Sequence, residues 1–158
     1  MIYVAMYLVA IVVANLVTSA FGPNASIVNA FVLIGLDLTA RDRLHDAWHN
    51  NNLVLKMSIL IGFGSLLSWV LNKDAGMIAV ASFVAFGSAA IADTIIYQIL
   101  REKSWMVKVN GSNLVSSAVD SLVFPTIAFG GVMIWVTIAQ FVAKILGGFI
   151  WSLILKRK

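Results

Sequence analysis

Long apolar runs, broken at a few places by polar or turn-forming residues, organise this chain. A helix that crosses the hydrocarbon core of a membrane needs about 20 apolar residues, and the runs can be parsed on that length. The first span covers Ile2–Ala20 and stops at the turn-forming "FGPNAS". The second, Ile27–Leu38, offers only about a dozen apolar residues, so it is expected to be tilted, re-entrant or extended into "TARD". The third runs over Leu53–Leu71 and the fourth over Gly76–Leu100. The stretch from Ser112 to Lys156 is too long for one span, and "FGG" at Phe129–Gly131 divides it into a fifth and a sixth. The pattern thus predicts an all-α integral membrane protein, a six-helix transmembrane bundle with a short second span, forming a single transmembrane domain over residues 1–158.

Composition agrees with that parse. Of 158 residues, 61% are hydrophobic and 11% charged, with a mean hydropathy of +0.96, against roughly a quarter charged in soluble domains. There is no cysteine, which excludes disulfides and thiolate metal sites. Basic residues choose the orientation, because Lys and Arg favour cytoplasmic loops. With both termini cytoplasmic, that side collects Arg41, Arg43, Lys56, Arg101, Lys103, Lys108, Lys156, Arg157 and Lys158 out of eleven basic residues; Lys73 lies outside and Lys144 inside the last span. The net charge of +4 therefore reads as topology, with no nucleic-acid-binding pattern. No charged segment precedes the first apolar run, so a cleaved signal peptide is not expected. No nucleotide-binding glycine loop appears, and neither ATP hydrolysis, enzymatic activity nor a cofactor is expected. A homo-oligomer is compatible with the sequence.

Chemistry enters with two short stretches, "ADTIIY" (Ala92–Tyr97) and "VDSLVF" (Val119–Phe124), which place aspartates 27 positions apart in apolar surroundings. They fall on antiparallel spans, a local hint of an inverted repeat of the kind that frames a transporter's binding site. Ser82, Ala85, Ala89, Asp93 and Tyr97 share one helical face, and Ser112, Asn113, Ser116, Ser117, Asp120 and Phe124 share another. Small and polar faces suit close helix packing or an aqueous cavity. An ionised carboxylate at mid-span costs at least about 2.5 kcal/mol, so it usually has a partner and a task. Asp93 lies roughly 12 Å in from Arg101, and Asp120 and Lys144 lie roughly 18 Å in from Lys108 and Lys156. Two acids and one lysine leave one negative charge for a proton or a ligand's donor to satisfy. A guanine-like edge presents adjacent N–H donors to such a carboxylate, while Asn113 or Gln98 reaches a carbonyl and an aromatic stacks on the ring. This chemistry is compatible with a flat bicyclic base and leaves open an amine, a cation or another vitamin.

Asn15 and Gln140 are amides that either line this site or satisfy each other's neighbours between helices. Pro125 frees a backbone carbonyl about one turn beyond Asp120, and Gly147 and Gly148 permit close packing opposite it. Asp42, His45, Asp46 and His49 share a face in the loop after the second span, but without a third strong ligand elsewhere they are not read as a metal site. They read instead as an interfacial helix, with Asp37 and Arg41 paired at its entrance and Trp48 at headgroup level.

Three stretches carry a resemblance. "SNLVSSAVDSLVFPTIAFGG" (Ser112–Gly131) resembles the signature of the putative vitamin uptake transporter family, the queuosine-precursor transporters. "ASFVAFGSAAIADTIIYQILR" (Ala81–Arg101) is similar to that family's preceding helix, and "NAFVLIGLDLTARDRLHDAW" (Asn29–Trp48) to an early segment of its short members. The resemblance implies a six-helix importer of 7-cyano-7-deazaguanine or a related deazapurine across the inner membrane. Where longer members carry a Glu-x-Tyr-Gly element, this chain has the basic "ARDRLHDAWHNNN". The substrate site expected from these readings comprises Asp93, Asp120, Asn113, Ser117, Tyr97, Gln98, Phe124, Lys144 and Asn15, between the fourth, fifth and sixth spans. Two other readings compete: a substrate-binding S-component of an energy-coupling-factor vitamin transporter, docking an ATPase partner through Ala81, Ala85 and Ala89, and a holin-like pore-former.

Overall fold

A computed structural model describes residues 2–48 and 52–155, without the side chains of residues 42, 45, 46, 54, 97, 105, 106, 108–110 and 152. Helix α1 (Ile2–Phe21) ends at Gly22, whose φ of 75° takes the left-handed conformation open to glycine. Pro23 then starts α2 (Pro23–Asn29), where its missing N–H is not needed. A π-helical turn (Ala30–Ile34) carries α2 without a break into α3 (Gly35–Trp48). These three segments form one rod. Helix α4 (Leu53–Leu71), a 3₁₀ turn (Lys73–Ala75), α5 (Gly76–Ile99), α6 (Trp105–Ala128) and α7 (Ile134–Ile154) complete an all-helical bundle of six rods among the described residues.

Four of the helical stretches are long and apolar enough to cross a membrane: Ile2–Phe21, Pro23–Arg41, Lys73–Ile96 and Ile134–Trp151; Leu55–Leu71 is apolar but shorter. The second span is therefore not short. It extends in both directions, through Pro23 at one end and "TARD" at the other, because its polar residues are buried rather than solvated: Ser26, Asn29, Asp37, Thr39 and Arg41 all lie inside the bundle. The expected interfacial helix is the lower half of this rod, packed on α1 and α7. Helix α6 is long but less apolar, since Ser112, Ser116, Ser117, Asp120 and Ser121 turn inward while Leu114 and Leu122 face out. It begins at Trp105, a few residues before the expected start of the fifth span.

The inside of the bundle is small and polar, and its outside carries large apolar side chains such as Ile2, Phe63, Ile95, Trp135 and Phe149, as a lipid-facing surface requires. One apolar cluster, formed by Tyr7, Ile11, Ala40, Leu44, Met57 and Ile61, ties α1, α3 and α4 together. Helix α5 packs most extensively on α6. Ala81, Ala85 and Ala89 are buried within the chain's own bundle, so the face expected to dock an ATPase partner is not presented outward. Gly147 and Gly148 face the second rod rather than Pro125. A Cβ at Gly147 would run into the Phe31 carbonyl oxygen, and one at Gly35 would lie 2.6 Å from the Gly147 carbonyl carbon. Pro125 sits in the last turn of α6, which ends three residues later.

Candidate functional site

The buried polar residues form separate local groups of hydrogen bonds. In the first, Lys144 on α7 donates to Ser121 Oγ of α6 at 3.0 Å and to Gln140 Oε1 at 3.3 Å, and its Nζ lies 2.5 Å from Asp120 Oδ2. Gln140 Nε2 donates in turn to Ser26 Oγ at 2.7 Å, tying α7 to α2. In the second, Asn15 of α1 donates to Ser68 Oγ of α4 at 3.1 Å and accepts from the Ser82 hydroxyl of α5. Asn29 Nδ2 donates to the Ala14 carbonyl and to Thr18 Oγ1, both at 3.0 Å. Each amide is thus satisfied by neighbouring helices, which keeps buried polar groups inexpensive.

One atom in this network is different. Asp120 is 6% exposed, its Oδ2 is held by Lys144, and its Oδ1 is buried with no hydrogen-bond donor among the described residues. Lys144 stands midway along α7, roughly 15 Å from either end, so this pair lies near the centre of the bundle.

Two cavities meet at that pair. The far cavity, at the end of the bundle holding the α1–α2 turn, contains about 320 Å³ of unfilled space, counting its open mouth, and is lined by Asn15, Asn29, Ser82, Phe124 and Gln140 among others. The near cavity, toward the start of α1, contains about 460 Å³ and is lined by Tyr7, Asp37, Arg41, Ser116 and Ser117 among others. Ile34, Phe86, Asp120 and Lys144 line both.

The nine residues expected at the site divide accordingly. Asn15, Asp120, Ser117, Phe124 and Lys144 line the cavities. Asn113 lies behind the near cavity, where its Oδ1 accepts from Arg41 Nη2 at 3.1 Å. Asp93 lines neither cavity; its Oδ1 is 4.0 Å from Arg41 Nη2, with its side chain 13% exposed. The charge it was expected to leave over is therefore answered by Arg41, and Asp93 and Asp120 do not share one site. Gln98 is exposed, away from both cavities. The side chain of Tyr97 lies outside the described residues, as do the side chains of Asp42, His45 and Asp46 and all of His49.

The two similar stretches also sit in unequal settings. Thr94 is exposed and donates to the Ala90 carbonyl, whereas Ser121 is fully buried against Lys144. The substrate space expected between the fourth, fifth and sixth spans is bounded by the first and second as well. Sequence reasoning missed Tyr7, Thr18, Ser26, Asn29 and Phe86 as lining residues. A signal existed for two of them: once the second span is extended, Ser26 and Asn29 stand one turn apart on it, the spacing that puts two side chains on a common face.

Chemically, the cavities are lined by a carboxylate with one unbonded oxygen, a set of amides and hydroxyls, and the rings of Phe86 and Phe124. The paired acceptance expected of a free carboxylate is not available as built, because Lys144 holds the second oxygen. Comparison with curated proteins and with solved structures gave no match. The family model described as putative vitamin uptake transporter matches residues 1–155. A central ion pair between two stacked cavities, in a bundle with a lipid-facing exterior, suits such a protein, and the chain belongs to the putative vitamin uptake transporter family.

Proposed function

We propose that this single-domain protein imports a deazapurine precursor of queuosine, 7-cyano-7-deazaguanine or a close relative, across the inner membrane with both termini in the cytoplasm. The observation that carries the reading is Asp120: a buried carboxylate that lines both cavities and whose Oδ1 has no hydrogen-bond donor among the described residues. An N–H of a guanine-like edge is a suitable donor for that oxygen. Asn15 and Gln140 line the far cavity, each with a second amide N–H beyond the one given to a serine, and suit a ring carbonyl, while Phe86 and Phe124 suit a planar ring. The family supplies the transport of a small molecule, and the strong bias of basic residues to one set of loops supplies the orientation.

The test is restoration of tRNA queuosine by external 7-cyano-7-deazaguanine in a bacterium lacking both its own synthesis and its own transporter, with this chain supplied alone. Queuosine is expected to return. The Asp120→Asn variant is expected to insert normally and to lose uptake by at least about tenfold, because a neutral amide both weakens acceptance and leaves Lys144 without its counter-charge. Unchanged uptake in a variant of normal abundance would remove Asp120 from the site.

A further inference from the structure

The ammonium of Lys144 is fully occupied. It has three N–H groups and three acceptors within reach, Asp120 Oδ2, Ser121 Oγ and Gln140 Oε1, and the residue is 2% exposed. Such an ammonium is a built-in cation held against the carboxylate. The rest of the far cavity's polar wall is uncharged: Asn15, Thr18, Ser26, Asn29, Ser82 and Gln140 are amides and hydroxyls. With one negative and one positive residue, that wall sums to zero charge. In the near cavity, Arg41 stands between two carboxylates, Asp37 in the lining and Asp93 behind it at 4.0 Å, so the balance of charge belongs to the far cavity and the central pair.

We propose that Lys144 sets the charge class of the solute: by neutralising Asp120 it makes the central site one for an uncharged, N–H-bearing solute and disfavours one that carries an ammonium group. The proposal rests on the cavities being the substrate path. A neutral N–H donor supplies the partner that the Oδ1 of Asp120 lacks among the described residues and leaves no net charge behind. An ammonium must shed its water and adds one positive charge to a site that is already balanced, far from bulk solvent, where uncompensated charge is strongly penalised. Removing the lysine reverses the balance, because Asp120 then stands alone and a cationic solute restores neutrality. Lys144 would thus act as a specificity-determining residue, holding the place that a substrate's amine would otherwise take.

The experiment compares two probes that have the same deazaguanine ring and differ in charge, 7-cyano-7-deazaguanine and its 7-aminomethyl counterpart, as competitors of labelled 7-cyano-7-deazaguanine uptake. In the natural protein the cyano compound is expected to compete on the order of tenfold more strongly. In Lys144→Met the ratio is expected to move toward the aminomethyl compound by tenfold or more, as read by direct uptake of each labelled probe, while Lys144→Arg, which keeps the charge, retains the neutral preference. Equal competition in the natural protein, or an unchanged ratio in a Lys144→Met chain of normal abundance, overturns the charge rule while leaving the import reading intact. Uptake of neither probe by the natural protein overturns the import reading, and the charge rule with it. The comparison in the natural protein needs no variant, so equal competition there overturns the rule even where a Lys144→Met chain fails to reach the membrane, and Lys144→Arg then carries the test of the charge itself.

Discussion

Asp93 and Asp120 occupy matching places in similar stretches, yet their neighbours give them different work. Asp120 is held by a lysine one helix away and lines both cavities, with one oxygen lacking a donor among the described residues. Asp93 meets Arg41 at a distance too long for a hydrogen bond and lines neither cavity. Asp93→Asn, which keeps the shape of the side chain, should therefore lower uptake by less than the roughly tenfold expected of Asp120→Asn. Uptake assays on membranes of matched protein content check this, and a loss as deep as that of Asp120→Asn would return Asp93 to the site. The sequence makes both acids conspicuous because carboxylates are rare in apolar runs. It does not separate them, because the deciding partner of Asp93 is Arg41, 52 positions earlier, on a segment whose polarity reads as a loop.

The second rod shows why that segment was hard to read. Thr39, Ala40 and Arg41 look like a helix leaving the membrane, but the rod continues, since Arg41 finds Asn113 and Asp93 inside the bundle. Its π turn, Ala30–Ile34, inserts one residue into the helical ladder, a feature that recurs at functional sites. The turn lies where α7 comes closest: the Val32 carbonyl accepts from Trp151 Nε1 at 2.7 Å, and Phe31 backbone meets Gly147. Apolar length located α4, whose ends coincide with the expected ones, and gave α1, α5 and α7 to within a few residues. The π turn and the glycine contact leave no such trace, because both depend on which helix lies opposite. Gly147 and Gly148 look equivalent in sequence, but only the first faces backbone. Gly147→Ala should cost about 1–3 kcal/mol by overpacking and lower the melting temperature in detergent by several degrees. Gly148→Ala, whose new methyl would sit 3.7 Å from Leu38 Cδ1, should be tolerated. Equal melting of the two variants would contradict this contact.

Between the two cavities stands a septum about one side chain thick, made of Ile34, Phe86, Asp120 and Lys144. Phe86 is its largest apolar member, and nothing in the hydropathy pattern distinguished it from the phenylalanines that face lipid, such as Phe83 on the same helix. Shortening it to alanine is expected to join the cavities. Vesicles carrying Phe86→Ala should then leak small ions at a rate above those carrying the natural protein, and an identical leak would mean that another group closes the path. The septum has an electrical consequence. The Asp120–Lys144 pair in that septum is a dipole of opposite charges held near mid-bundle and almost wholly shielded from water, so a voltage across the membrane acts on it with little screening. A molecule arranged this way feels the cell's potential at its centre even when the solute it carries has no charge.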